Sequence, residues 1–457
     1  MTMSYSAPAR PGSGPDVLDV LGVGFGPSNL ALAIAVAEHN RAAAPERRLT
    51  ARFLERQPCF GWHRGMLLED ATMQVSFLKD LVTQRNPGSP FSFLSYLHAR
   101  NRLVDFINYG SVFPTRLEFH DYLEWAAAGF AGQVDYGAEV VEIAPVRGDG
   151  PAGPVRHLEV VTRYADGSTE RHRTRNVVLA TGLTPHVPRG VRLGDRVWHS
   201  RDLLGRVALL KGTEPSRLAV VGAGQSAAEA VDFLHRTFPT AEVCAVFTRY
   251  GYSPADDSSF ANRIFDPVAV DHFYTAPDEV KEQILGYHAN TNYSVVDPEL
   301  IDELYRRHYH ERVAGRERLR FLNVTRVTDV VEIGGRVELA VESMIDGDRE
   351  VLTSDAVVYA TGYRATDPLW LLGDLARSCA RDAAGRLDIR RDYRIATTAD
   401  LTAGIYVQGA TEHTHGISST LLSNVAVRSG EIVASIAGGA PAAAPAPAAL
   451  ADAPVAR

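Results

Sequence analysis

Apolar residues in this chain recur in a fixed order: a short run, a glycine-rich turn, then a longer apolar stretch. The first run, Val17-Leu18-Asp19-Val20-Leu21, predicts a buried strand, and Gly22-Val23-Gly24-Phe25-Gly26-Pro27 follows it. The stretch Asn29-Leu30-Ala31-Leu32-Ala33-Ile34-Ala35-Val36-Ala37 is then apolar nearly all round, as in a helix packed on a parallel sheet. Pro27 suits a first helical turn, where its missing N–H has no partner to lose. The order repeats as Leu218-Ala219-Val220-Val221, then Gly222-Ala223-Gly224-Gln225-Ser226-Ala227 and a second helix. Such a turn brings bare backbone N–H groups and a helix N-terminus up to a pyrophosphate. Two copies imply two dinucleotides and electrons passed from one to the other.

The next strand in each unit points to which dinucleotide it holds. Ala51-Arg52-Phe53-Leu54 ends in Glu55, an acid placed to accept from ribose hydroxyls. The run 241–247 is followed instead by Thr248-Arg249. A base there favours a 2′-phosphate, hence NADPH over NADH, with a solvated surface arginine as the alternative. The pattern fits FAD first and NADPH second.

Residues 60–125 hold few strand signals and many aromatics, predicting helices and loops that cover a cofactor. Strands are predicted at 140–143, 157–162 and 176–182, the last ending in Ala180-Thr181-Gly182. Residues 251–317 read as a second insertion, polar and then helical. Strands resume at 320–322, 327–333 and 337–341, and 355–363 ends in Ala360-Thr361-Gly362-Tyr363. Two strands ending in Ala-Thr-Gly imply a chain that crosses between domains and returns. A strand at 404–409 and a last helix at 421–436 complete the first domain.

The expected fold is α/β, with two Rossmann-like dinucleotide-binding domains and helical or loop insertions forming the substrate site. The expected division is an FAD domain at 15–200, an NADPH domain at 201–350 with the substrate insertion 251–317, and the FAD domain's completion at 351–437. Residues 1–14 and the Pro/Ala-rich 438–457 are expected to be disordered.

Composition narrows the partners. A net charge of −8 and a pI near 6.0 give no basic footprint for nucleic acid. No run reaches the roughly 20 apolar residues that cross a bilayer, and the N-terminus lacks a signal-peptide pattern. A cytoplasmic protein is expected. Cys59, Cys244 and Cys379 form no CxxC pair, which argues against a disulfide scaffold, a zinc site or a dithiol reductase. No metal site is expected: His413 and His415 alternate but lack a third ligand, so this segment reads as a loop over the flavin.

Three further segments stand out. In Met73-Gln74-Val75-Ser76-Phe77-Leu78-Lys79-Asp80-Leu81, Lys79 is either a point charge for a substrate carboxylate or solvated, and spacing alone favours solvation. Asp256-Asp257-Ser258-Ser259-Phe260-Ala261-Asn262 and Asn290-Thr291-Asn292-Tyr293-Ser294 read, taken alone, as loop caps and Asx turns.

Gly22-to-Leu30, Met73-to-Leu81, Asn292-Tyr293-Ser294-Val295-Val296 and Ala360-Thr361-Gly362-Tyr363 together resemble the microbial N-hydroxylating flavin monooxygenases, which include the ornithine and lysine N-monooxygenases of hydroxamate siderophore pathways. The resemblance spans about 16–436 and is strongest to actinobacterial L-ornithine N5-monooxygenases. One departure is Tyr359, where the family usually has Leu or Phe before Ala-Thr-Gly-Tyr. The resemblance implies that Gly22, Gly24, Gly26 and Pro27 hold the FAD pyrophosphate and Glu55 its ribose. Trp62, His63, Gln74, Thr181, Gly182 and Leu421 would complete that site. Gly222, Gly224, Gln225, Ser226, Arg249, Asn292, Tyr293, Thr361 and Gly362 would bind NADPH. Lys79 would pair with the α-carboxylate of the substrate amino acid, Asn262 would read the same end, Asn292 would touch substrate and nicotinamide, and Ser418 would lie near the amine. The implied reaction is NADPH- and O2-dependent N5-hydroxylation of L-ornithine through a flavin C4a-hydroperoxide, the catalytic chemistry being borne by the flavin. The product would feed hydroxamate siderophores or related peptides. The same chemistry on L-lysine, putrescine or cadaverine is the alternative. A homo-oligomer, tetrameric by analogy, is also implied.

Overall fold

A computed structural model of the chain describes residues 17–147 and 153–438. The ends expected to be disordered lie outside the described residues, Gly438 apart. Two sheets organise the rest.

The first sheet runs Val134–Tyr136, Ala51–Glu55, Leu18–Val23, Thr169–Leu179, Val155–Arg163, Glu139–Arg147, with Gly404–Val407 also paired to Thr169–Leu179. Its central strands are parallel: Gly22 pairs with Phe53 on one side and Val178 on the other, and Tyr406 with Val178. The C-terminal segment therefore completes this sheet, as the returning chain predicts. The helix Pro27–Ala42 lies across it with every residue from Asn29 to Val36 buried. The helix Val425–Ile436 packs against that helix. It begins four residues later than expected, because Ile417–Thr420 and Leu422–Asn424 form tighter 3-10 turns.

The second sheet is parallel throughout, in the order Leu319–Leu322, Glu242–Val246, Arg217–Val221, Ala356–Tyr359, Val197–His199. Its last two strands fall outside the expected 201–350. Val197–His199 belongs here rather than to 15–200, and Ala356–Tyr359 here rather than to 351–437. A short, fully buried apolar strand carries no mark of which parallel sheet it joins, so the sequence pattern could not assign it. The real crossings are Leu183–Pro185 and Tyr363–Ala365, which pair antiparallel with each other between the two sheets. Three antiparallel strands at 325–354 hang from the second sheet.

Both insertions are helical. The first carries Phe93–Ala99, Leu103–Tyr109 and Arg116–Ala128, packed through an aromatic cluster that includes Phe93, Phe119 and Tyr122. The second carries Pro267–Thr275, Asp278–Tyr287, Ala289–Asn292 and Pro298–Ala314.

Candidate active site

The two glycine turns share one geometry, and it differs by one step from the motif as read. Gly24 has φ +83°, and a Cβ on it would lie 2.5 Å from the Ala180 carbonyl oxygen. Gly222 has φ +141°, and a Cβ on it would lie 2.4 Å from the Ala360 carbonyl oxygen. Gly26 and Gly224 then cap the helices Pro27–Ala42 and Gln225–Thr237, in extended backbone and with no side-chain cap. Gly24 therefore corresponds to Gly222, and Gly26 to Gly224. Gly22 sits inside the strand, where a Cβ would strike the Phe53 ring at 2.3 Å and Asn29 Nδ2 at 2.8 Å. Its missing Cβ thus serves packing within the strand. The room it leaves admits Asn29, whose amide donates to the Gly24 carbonyl at 2.7 Å and braces the turn.

These turns fit pyrophosphates. Helix N-termini leave unsatisfied N–H groups, and here no side chain takes them. A Cβ on Gly26 would meet nothing within 4 Å, so the mouth of the first turn is open. Beside it Glu55 is buried, accepting from the Phe25 N–H at 2.7 Å and the Gln57 N–H at 2.8 Å. Its carboxylate pins the turn to the strand end and keeps lone pairs for a ribose.

At the second turn, Arg249 Nη1 donates to the Ser294 carbonyl at 2.7 Å and to Ser253 Oγ at 3.2 Å. It has no carboxylate partner among the described residues, which leaves guanidinium donors for a phosphate. Ser226 is the second residue of the helix. The Gln225 side chain is already committed, donating to Glu229 Oε1 at 3.0 Å and accepting from the Asp297 N–H at 2.8 Å. Its part in NADP binding is thus limited to its backbone at the helix start.

The strands that follow the two Ala-Thr-Gly ends pair with each other. Gly182 and Gly362 have φ +74° and +80°. The His186 N–H donates to the Gly362 carbonyl at 2.9 Å, and Thr361 Oγ1 donates to the His186 carbonyl. Rings continue the link: Trp62 to His63 at 4.6 Å, His63 to Tyr363 at 6.4 Å and Tyr363 to His199 at 5.1 Å between centroids. His63 is held at φ +50°, and part of it is open to solvent. Burial, then Arg116, pushes its pKa down to about 4, so the ring is neutral at neutral pH.

Lys79 lies in the first insertion, in the loop before the helix Phe93–Ala99. Asp80 fixes its loop, accepting from the N–H groups of Val82, Thr83 and Phe93 at 2.9, 2.6 and 2.8 Å. Lys79 Nζ stands 5.3 Å from the centre of the Phe265 ring and has no ion-pair partner among the described residues. Burial lowers its pKa, opposed by Asp266. Phe265 belongs to the same 3-10 turn as Asn262, Ala261–Phe265, so the fold brings the two expected carboxylate-end residues together. Asn262 Nδ2 donates to the Asp257 carbonyl at 2.6 Å, which leaves Oδ1 to accept from an ammonium. That turn packs against Ile417–Thr420, which carries Ser418. Ser418 is buried and accepts from Asn424 Nδ2 at 3.0 Å, and the Leu421 N–H donates to its carbonyl. Gln74 is exposed. Tyr293 donates to Glu412, tying the second insertion to the short helix Glu412–His415. Asn292 ends the helix Ala289–Asn292, and its side chain lies outside the described residues.

A model of the family described as L-lysine 6-monooxygenase/L-ornithine 5-monooxygenase matches residues 16–365. The chain belongs to this family. An L-ornithine N(5)-monooxygenase of Pseudomonas aeruginosa is 41% identical over 425 residues, covering 92% of this chain and 94% of the relative. That of Burkholderia cepacia is 43% identical over 406 residues, covering 88% and 90%. The ornithine N-hydroxylase of Kutzneria sp. 744, solved with reduced FAD, NADP+ and L-ornithine, superposes with a TM-score of 0.87 at 50% identity, covering 92% of this chain and 99% of that one.

In this monooxygenase, several features of the site have no short-range sequence signal. Arg116, the first residue of its helix, forms a two-pronged ion pair with Glu229 of the second dinucleotide unit, at 2.9 and 2.7 Å. His415 stacks on Tyr393 at 4.1 Å and burial pushes its pKa to about 3. With His413 bonded to the Leu387 carbonyl, both histidines of that segment have structural partners. Among the described residues no group of three metal-ligating side chains occurs, and no helix is long and apolar enough to cross a membrane.

Proposed function

We propose that this chain N-hydroxylates the side-chain amine of L-ornithine, using FAD, NADPH and O2. Bound FAD supplies electron transfer from NADPH and the activation of O2. The protein's own groups do the rest. The Gly24–Gly26 turn and the uncapped helix after it hold the pyrophosphate of FAD, with Glu55 on its ribose. Gly222, Gly224 and Ser226 hold that of NADPH, and Arg249 reads the 2′-phosphate.

Lys79 carries the reading of the substrate. A half-buried ammonium with no acid partner, beside an amide oxygen free to accept, is complementary to the α-carboxylate and α-ammonium of an amino acid. Gripping that end fixes how far the terminal amine reaches. The amine must be neutral to react, and its ordinary pKa of about 10 makes desolvation the means of stripping its proton. Ser418, its oxygen already accepting from Asn424, has its own proton to donate toward that nitrogen. Exclusion of water by the packed turns keeps the activated oxygen for the amine.

Ornithine over lysine rests on the relatives' activities, since one methylene in a pocket is worth only about 1–3 kcal/mol. Diamines have no carboxylate for Lys79. We place the protein in the cytoplasm, as a homo-oligomer, tetrameric by family analogy, serving hydroxamate siderophore or related peptide synthesis. Mass spectrometry of products from ornithine, lysine, putrescine and cadaverine in parallel tests the substrate. N5-hydroxyornithine should dominate; preferential hydroxylation of a diamine would overturn the role of Lys79.

A further inference from the structure

Arg428 is among the largest fully buried side chains, and no carboxylate pairs with it among the described residues. The nearby acid, Glu431, is spent on Arg391 through two bonds of 2.8 Å. Tyr393 and His415 also face the guanidinium; burial raises the phenol's pKa to about 12 and lowers the imidazole's to about 3, so neither offers a charge at neutral pH. Instead the guanidinium reaches three ways. Nη1 donates to the Ser419 carbonyl at 2.8 Å, Nε to Gln408 Oε1 at 3.2 Å and Nη2 to Ser28 Oγ at 3.4 Å.

Each contact leads to part of the site. Ser419 follows Ser418 in the turn assigned to the amine end. Ser28 is the second residue of the helix whose N-terminus faces the FAD pyrophosphate. Gln408 passes the link on, its Nε2 donating to Asn29 Oδ1 at 3.1 Å, and Asn29 donates to the Gly24 carbonyl at 2.7 Å. One buried chain of hydrogen bonds thus joins the phosphate turn to the substrate turn across three separate segments of sequence. A cation buried without an acid is expensive unless an anion lies close. A pyrophosphate held at the Gly24–Gly26 turn would supply an anion at the far end of this hydrogen-bonded chain.

We propose that Arg428 is a positioning residue coupling FAD binding to the setting of the Ser418 turn, so that dinucleotide and ornithine sites form together. This rests on the assignment of the two ends of the site given above. The test compares wild type with Arg428→Met, Arg428→Lys and Gln408→Leu. It measures FAD affinity by reconstitution of apoprotein, KM for ornithine and for NADPH, and kcat. Arg428→Met should weaken FAD binding and raise the ornithine KM by about tenfold each, the effect of losing a charged hydrogen bond. The NADPH KM should stay within about twofold, because the second turn shares none of these bonds. Gln408→Leu keeps the cation but cuts the link, so FAD affinity should hold while the ornithine KM rises. Arg428→Lys should recover FAD affinity but not the ornithine KM, since an ammonium cannot span three acceptors. If Arg428→Met does not fold, Gln408→Leu and Arg428→Lys decide. An ornithine KM unmoved in both overturns the coupling. A wild type that retains FAD yet ignores ornithine would refute the assigned substrate instead.

Discussion

A single ammonium carries most of the specificity argument. Lys79 is useful because no acid forms an ion pair with it among the described residues: Asp266 acts only at longer range, and Asp80, its neighbour, is consumed by three backbone N–H groups and a threonine hydroxyl. Replacing Lys79 with Met should raise the ornithine KM by about 10–100-fold, the worth of a charge-assisted bond, while flavin reduction by NADPH changes little. Steady-state and stopped-flow kinetics separate the two. The pH profile adds a sign. Burial favours the neutral lysine, so the free enzyme loses its ammonium at a pH below the ordinary 10.5. In wild type, kcat/KM for ornithine should therefore fall on the alkaline side, and Lys79→Met should lack that limb. From spacing alone Lys79 looked solvated. What the sequence could not supply was Phe265, far along the chain, as the surface on which its stem and charge rest.

At the scale of elements, the glycine turns were the most readable feature, because strand, glycine and helix are local. Their register was less so. Three alternating glycines suggested that the first was part of the turn, yet Gly22 is a strand residue making room for Asn29. Only its close approach to Phe53 reveals this. Equivalence of Gly24 with Gly222 leads to paired expectations. Each sits at positive φ against a backbone carbonyl that cannot yield, so Ala at either costs about 1–3 kcal/mol locally and displaces the turn. Gly24→Ala should give protein that purifies with little flavin. Gly222→Ala should retain yellow flavin, reducible by dithionite, but lose NADPH-driven reduction. Absorption spectra under each reductant check both. Failure of Gly222→Ala to bind FAD would argue against separate sites.

The described residues form a mixed sheet and a parallel sheet joined by a pair of crossing strands, and the function depends on both dinucleotide units. Repeated Ala-Thr-Gly ends announced the crossing. The sheet that each outer strand joins stayed hidden, because Ala356–Tyr359 and Val197–His199 are apolar enough for either interior. Side-chain links between the halves were equally silent in sequence. Arg116 and Glu229 are more than a hundred residues apart, yet they form a largely buried ion pair between the first insertion and the second dinucleotide unit. Arg116→Met strands a buried carboxylate and should destabilise the holoenzyme by about 3–5 kcal/mol and slow hydride delivery from NADPH. Arg116→Met combined with Glu229→Met should recover much of the loss, as a double-mutant cycle of thermal unfolding would register.

All three scales converge on a flavin and its reductant serving one amine, and the ratio of product to reductant tests that most directly. Purified protein reconstituted with FAD, given NADPH, O2 and saturating L-ornithine, should form close to one N5-hydroxyornithine for each NADPH oxidised. Omission of ornithine should abolish the hydroxylamine. NADPH oxidation that yields only hydrogen peroxide, whether or not ornithine is present, would contradict the account.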